Sequence, residues 1–168
     1  MLDVLNYWRK AGFPHGTGHD NVTAFVALEP KNDIQVKDAV YLFGNCYIGV
    51  ALPDFAVNAP DMLAVPWTVP AKGPVGDAAP NPNNGHCIPA VAYDDHNLYV
   101  VTWGVLKTMT WQFYDTYMDE AYAVLSKDWI SGKLHKTPEG LDLAQLEKDL
   151  TAITGQRISL RMAGEAAA

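Results

Sequence analysis

Gly85-His86-Cys87-Ile88-Pro89-Ala90-Val91-Ala92-Tyr93 is an apolar run that begins with a histidine. A polar turn, Asp94-Asp95-His96-Asn97, separates it from a second run, Leu98-Tyr99-Val100-Val101-Thr102-Trp103-Gly104. Short runs rich in β-branched and aromatic residues, bounded by turn residues, are typical of paired strands. The segment therefore predicts a β-hairpin that has a histidine at its start and Thr-Trp-Gly at its end.

The segments around this hairpin predict helices and further strands. Leu2, Leu5 and Trp8 lie on one face of a helix that ends at Gly12, and Asn32 with Gln35 resembles a capping box. We expect helices over 2–11, 33–43, 110–118 and 142–154, strands over 22–28, 46–52 and 121–125, and a loop over 12–21. The fold class that this order predicts is α+β, a small twisted antiparallel sheet or half-barrel with two or three helices.

Two segments interrupt the pattern. Residues 53–84 hold seven prolines and few charges, and a loop this long in a compact domain is usually functional or mobile. Thr137-Pro138-Glu139-Gly140 then breaks the chain before the last helix, whose apolar stripe is Leu143, Leu146, Leu150 and Ile153. We therefore expect one domain over 1–136, and a C-terminal helix and tail over 137–168.

Composition excludes several classes of function. The 168 residues carry a net charge of −7 and no cluster of Lys and Arg, so we expect no nucleic-acid partner through a basic patch. No apolar run is long enough to cross a membrane, and two cysteines do not make a disulfide framework. These features favour a reducing cytoplasm, and a chain that acts in an infected or invaded host cell would have the same features.

The sequence predicts no metal or cofactor site. His15 and His19 have the spacing of two metal ligands on a helix, but Gly16 and Gly18 favour an exposed loop there. The Asp94-Asp95-His96-Asn97 segment is explained by a hairpin turn without a bound ion. No glycine-rich phosphate loop and no serine nucleophile elbow is present.

The Gly-His strand, the turn and the strand ending in Thr-Trp-Gly together resemble the papain-like cysteine peptidases. The resemblance covers about residues 1–125 and corresponds to the C-terminal, right-hand lobe of such a domain. The chain also resembles uncharacterised bacterial and prophage proteins of this class, including proteins like the bacteriocin-processing peptidases. The resemblance implies that His86 takes the place of the catalytic histidine, and that Trp103 and Gly104 take the places of the family's Trp-Gly.

The other catalytic parts of that family are not found in the sequence. The family's orienting Asn lies two residues before the Trp, where this chain has Val101. The nucleophile motif, a Gln followed by a Cys at a helix start, would precede Met1. Cys87 is adjacent to His86 and therefore points to the opposite face of a strand, and Cys46 is interpreted as a buried core thiol.

Three functions are compatible with these observations. The first is a catalytically degenerate papain-like module, encoded by a phage or a bacterium, that inhibits or otherwise binds another macromolecule. The second is one part of a split or processed cysteine peptidase in which His86 meets a nucleophile from elsewhere, and the third is a virion component. We expect a homodimer or a hetero-complex with a protein, and a binding face formed by Trp67, Asn84, Trp103, Trp111 and Tyr114.

Overall fold

The computed structural model describes residues 1–126, 140, 142–155 and 157. The helices are α1 (Leu2–Ala11), α2 (Asp33–Phe43), α3 (Asp54–Asn58), α4 (Trp111–Tyr117) and α5 (Leu143–Thr154). The strands are β1 (Phe13–His15), β2 (Gly18–Asp20), β3 (Val22–Ala27), β4 (Cys46–Ala51), β5 (Gly85–Tyr93), β6 (Asn97–Thr102), β7 (Val105–Thr110) and β8 (Met118–Ser126). The mixture confirms the α+β class.

Six strands form one antiparallel sheet in the order β3-β8-β4-β5-β6-β7, and β1 pairs with β2 in a separate hairpin. The central strands β4 and β5 are in register, with Ile48 opposite Ile88 and Val50 opposite His86. Because opposite residues of an antiparallel pair point to the same face, this register places His86 on the same face as Ile48 and Val50.

That face is the main hydrophobic core. α2 packs against β4, β5 and β8, and α4 packs against β4, β6 and β7. The fully buried side chains include Ile48, Ile88, Leu98, Met109 and Phe113. We call this the inner face of the sheet; α1 and the β1–β2 hairpin lie toward the other, outer face, where Trp8 contacts Tyr47.

The local signals for the helices agree with the structure. The Asn32 side chain accepts a hydrogen bond from the Gln35 backbone N–H at 3.1 Å, as a helix N-cap does. Thr110 caps α4 in the same way, by accepting from the Phe113 N–H at 3.1 Å. Gly44 ends α2 in the left-handed conformation that favours glycine.

Two predictions about the connecting segments need correction. The predicted loop over 12–21 contains the β1–β2 hairpin, because Phe13 and Asp20 pair across a turn at Gly16. The 53–84 segment contains α3 and two short 3-10 turns, and Trp67 joins β7 through a bridge to Met109. Backbone hydrogen bonds from Trp67 N–H to Thr108 O and from Thr110 N–H to Trp67 O tie this segment to the sheet.

The C-terminal helix is present as α5, which begins after Asp142, whose side chain accepts hydrogen bonds from the Ala144 and Gln145 N–H groups. The predicted boundary between 136 and 137 lies outside the described residues, and so do the side chains of the predicted apolar stripe, Leu143, Leu146, Leu150 and Ile153. Among the described residues, no helix is long and apolar enough to cross a membrane.

Candidate functional site

His86 lies at the start of β5 with its side chain on the inner face. Its imidazole is half-buried, at the edge of the core that Ile88 and Val50 help to form. A polar ring at this position requires a hydrogen-bond partner, because an unpaired polar group at the edge of an apolar core is unfavourable.

Thr102 provides that partner. The Nε2 atom of His86 and the Oγ1 atom of Thr102 are 2.6 Å apart, and Thr102 itself is buried. Val101 is 43% exposed and faces away from the core, because successive residues of β6 alternate between the two faces. Val101, in the position of the family's orienting Asn, thus does not hold the imidazole; Thr102, one residue before Trp103, holds it instead.

The residues that follow Thr102 form a two-residue hairpin turn. Trp103 has φ 46° and Gly104 has φ 78°, and Thr102 pairs with Val105 across the turn. Two successive positive φ values are the signature of a type I′ turn, which suits the twist of a hairpin and usually has glycine at one position. A tryptophan in this conformation is uncommon and needs support from its surroundings.

Aromatic contacts supply this support. The ring of Trp103 stacks on the His86 imidazole, with centroids 4.7 Å apart and an interplanar angle of 17°. Its other neighbour is Trp67, whose ring meets it edge to face at 5.9 Å. Each residue of the Thr-Trp-Gly sequence thus has a structural role: the threonine orients the imidazole, the tryptophan covers it, and the glycine permits the turn.

Burial lowers the pKa of His86, since desolvation disfavours the charged imidazolium. The neutral ring is consequently favoured near neutral pH. Among the described residues, Nδ1 has no hydrogen-bond partner, while Nε2 is held by Thr102. When Nε2 carries the proton and donates a hydrogen bond to Thr102 Oγ1, Nδ1 has the free lone pair that a general base needs.

Neither cysteine of the chain reaches this imidazole. Cys46 shares the inner face, but it is opposite Ala90, four residues along the ladder from His86, or about 13 Å. Burial raises its pKa to about 12, so the thiol is protonated and unreactive. Cys87 is opposite Gly49 on the outer face, and burial together with nearby carboxylates raises its pKa.

The 53–84 segment forms one side of the site and is anchored at both ends. Asp54 Oδ1 accepts hydrogen bonds from the Nδ2 atoms of Asn81 and Asn84, both at 2.8 Å. Near the middle, the buried Lys107 ammonium lies 5.3 Å from the Trp67 ring and donates to the Met62 and Val65 carbonyls. These bonds hold Trp67 against Trp103.

The residues predicted for a binding face do not lie together on the surface. Trp67, Trp111 and Tyr114 are buried, and they pack in the core with Phe113 and other neighbours. Trp103 is 42% exposed beside His86, and Asn84 is half-buried on the Asp54 carboxylate. The aromatic pattern alone could not separate core from surface, because both use tryptophan and tyrosine. Of this set, Trp103 and Asn84 remain the accessible candidates.

No family model matches this sequence, and neither does any curated protein. The structure is similar to that of a cysteine protease from Carica candamarcensis, solved in complex with E-64, with a TM-score of 0.51 and 12% sequence identity. The match covers 74% of this chain and 67% of the protease chain. At this level of identity the similarity is one of fold, and it supports a papain-like fold for the chain.

Proposed function

We propose that this chain provides the histidine half of a papain-like cysteine peptidase site, and that a partner polypeptide supplies the thiol. The observation that carries the proposal is the hydrogen bond between His86 and Thr102, which leaves Nδ1 beside Trp103 without a partner among the described residues. A histidine with one nitrogen held by a neutral hydrogen-bond partner and the other available is arranged as a general base.

The chemistry assigned to each group follows from this geometry. A thiol placed beside Nδ1 gives its proton to the imidazole and attacks the carbonyl carbon of a peptide, and the C–N bond then breaks. The imidazolium returns the proton to the leaving amine, and water hydrolyses the resulting thioester. Thr102 holds the ring in the required orientation throughout, and Trp103 shields that hydrogen bond from water.

The second candidate is a non-catalytic module that binds a macromolecule, and the positions of the cysteines favour it. Cys46 is too far from His86, and Cys87 is on the opposite face, so the described residues contain no thiol–imidazole pair. Both candidates place a protein partner at the Trp103 edge, in the reducing cytoplasm of a bacterium or a phage-infected cell. They differ in whether that partner brings a thiol.

The test uses the chain alone and the chain co-expressed with the flanking genes of its source. Each preparation is treated with a biotinylated thiol-reactive epoxide of the E-64 type and assayed with fluorogenic peptides. We expect no turnover from the chain alone, and labelling of one cysteine in the complex. His86→Ala should reduce peptide hydrolysis by at least about a hundredfold, whereas His96→Ala, in the exposed hairpin turn, should leave it unchanged.

The outcomes separate the two candidates. Hydrolysis by the complex that persists in the His86→Ala variant would overturn the peptidase proposal. A stable complex that neither hydrolyses peptides nor reacts with the epoxide would support the binding module. In an active complex, Thr102→Val should lower kcat with little change in KM, because it affects the orientation of the base rather than substrate binding.

A further inference from the structure

A cavity of about 260 Å³ lies on the outer face of the sheet, between the end of α1, the β1–β2 hairpin and strands β3, β4 and β8. It is separated from the His86 site by the sheet itself, because Tyr47 points away from the face that Ile48 and His86 share. The lining residues are Trp8, Phe13, Asp20, Asn21, Val22, Asn45, Tyr47, Val124 and Ser126.

Three aromatic rings form its apolar walls. Trp8 is at the centre, with its ring 5.4 Å from that of Phe13 at an interplanar angle of 56°. On its other side the Tyr47 ring is 5.8 Å away at 48°. Trp8 thus contacts both neighbouring rings at tilts of about 50°, and the three side chains form the aromatic part of the cavity lining.

The polar groups of the cavity favour a positively charged ligand. Asp20 is the one charged residue among those that line it, and its carboxylate is 39% exposed. The Nδ1 atom of His15 lies 3.8 Å from this carboxylate, a contact that is an ion pair only when the imidazole is protonated, and His15 is 79% exposed. The C-terminal end of α1 also adjoins the cavity with the negative end of its dipole, and its last turn carries Arg9 and Lys10, so the negative charge of the site is that of Asp20.

A cation–π contact between two side chains of the chain lies near the cavity. The Arg9 guanidinium lies over the Phe25 ring, with its carbon 5.3 Å from the ring centroid. Phe25 and Arg9 are not part of the cavity lining, and among the described residues no cation–π contact to the Trp8, Phe13 or Tyr47 ring is found.

We propose that this cavity is a binding site for a small organic cation of the methylammonium class, such as choline or a methylated amine. Such cations bind over aromatic faces, and several aromatic rings around one cavity are the arrangement that recognises quaternary ammonium groups. The Asp20 carboxylate supplies the charge complement, and the volume is close to the lower end of the range of small-molecule pockets. This site is independent of the proposed peptidase chemistry.

The experiment titrates the full chain with choline, with tetramethylammonium, and with 3,3-dimethylbutan-1-ol, a neutral molecule of nearly the same shape as choline. Binding is followed by calorimetry and by the NMR signal of the Trp8 indole N–H. We expect millimolar dissociation constants for both cations, and at least about threefold weaker binding of the neutral alcohol.

Matched variants locate the site. Asp20→Asn should weaken choline binding about three- to tenfold, whereas Asp95→Asn, the same charge change in the exposed hairpin turn, should not. Tyr47→Leu keeps an apolar wall but removes an aromatic ring, and it should weaken the binding of the cations more than the binding of the alcohol. A melting curve of each variant shows that it remains folded.

Three results would overturn the proposal. They are equal affinity for choline and the neutral alcohol, equal effects of Asp20→Asn and Asp95→Asn, and no binding of either cation up to about 50 mM, which is weaker than any specific site of this kind.

Discussion

The two faces of β5 differ at adjacent residues. His86 points inward, where Thr102 of the neighbouring strand and Trp103 of the next turn hold its imidazole. Cys87 points outward, opposite Gly49 and away from the core. A strand alternates its side chains strictly, so neighbours in sequence are separated, while residues sixteen positions apart on adjacent strands come into contact. Pairing between strands, rather than proximity in sequence, assembles the candidate site.

The thiols provide the strongest test of this difference between the faces. In the native chain we expect a maleimide or a disulfide reagent to modify Cys87 and to leave Cys46 untouched. Cys46 is fully buried and its pKa is raised to about 12, so it should react only when the chain opens. Native proteins are unfolded for a fraction of about 10⁻³ or less, so the ratio of the two rates should be at least about a thousandfold.

Mass spectrometry of the two cysteine-containing peptides measures that ratio, and labelling in urea provides the control in which both thiols react. Rapid modification of Cys46 in buffer would mean that the inner face is open and that the comparison of the faces fails. Cys87 should react faster as the pH rises, because burial and nearby carboxylates raise its thiol pKa.

Two glycines near His86 test the turn that completes the inner face: Gly104 lies in the turn between β6 and β7, and Gly85 directly precedes His86. Gly104 has φ 78°, and no atom lies within 4 Å of the place that an alanine Cβ would take. Gly104→Ala therefore introduces strain without a clash and should cost about 1–2 kcal/mol of unfolding free energy. Gly85 has φ −56°, and an alanine Cβ there would lie 3.6 Å from the Pro82 carbonyl, an ordinary contact.

Gly85→Ala should therefore be close to neutral or slightly stabilising, by less than about 1 kcal/mol. Urea unfolding of both variants measures the difference. If the two substitutions have equal effects, the positive φ at Gly104 is not required for the hairpin, and the support that Trp103 gives to His86 does not depend on this turn.

The smallest expected effect is the pH dependence that the buried imidazole contributes. The pKa of His86 is lowered from its usual 6.5 in the folded chain, so below that pH the unfolded chain binds a proton that the folded chain resists. The stability that this residue contributes is complete above about pH 6.5. It is lost as the pH falls toward the lowered pKa.

Comparison with His86→Gln isolates this contribution. Asp33, whose pKa is raised by burial and by nearby Asp115, is present in both proteins, and its effect cancels in the difference. The urea midpoint of the original chain should fall relative to that of the variant as the pH is lowered. A constant difference across the pH range would show that the imidazole is not desolvated, and His96→Gln provides the control for an exposed histidine.

Much of the fold could be predicted because its signals are local. Asn32, Gly44 and Thr110 begin or end helices by hydrogen bonds and backbone conformations that depend on a few neighbouring residues. The predicted helix over 142–154 is present for the same reason, with Asp142 as its cap. The β1–β2 hairpin was not predicted, because Gly16 and Gly18 are as typical of a loop as of a tight turn.

The candidate site was predicted only in part. His86, Trp103 and Gly104 carried a recognisable pattern, but Thr102 was overlooked, although it lies in the same quoted segment. The signal that could have identified it is the alternation of side chains along a strand. Leu98 and Val100 are buried on the inner face, so Thr102, two residues further on, lies on that face and Val101 does not. The aromatic residues were misplaced because Trp111 and Tyr114 carry the same sequence signal whether they face a partner or a core.

The sequence by itself determined α1, α2, α4 and α5, the hairpin of β5 and β6, the α+β class and the separation of Cys87 from His86, since each of these follows from capping, periodicity or alternation within a short segment. The tertiary structure decided which strands pair with β5 and which residue holds the imidazole. It also decided that Trp8, Phe13 and Tyr47 line one cavity. These features depend on contacts between segments far apart in sequence, and such contacts form only when the burial of the whole core selects one register among those that each strand could adopt.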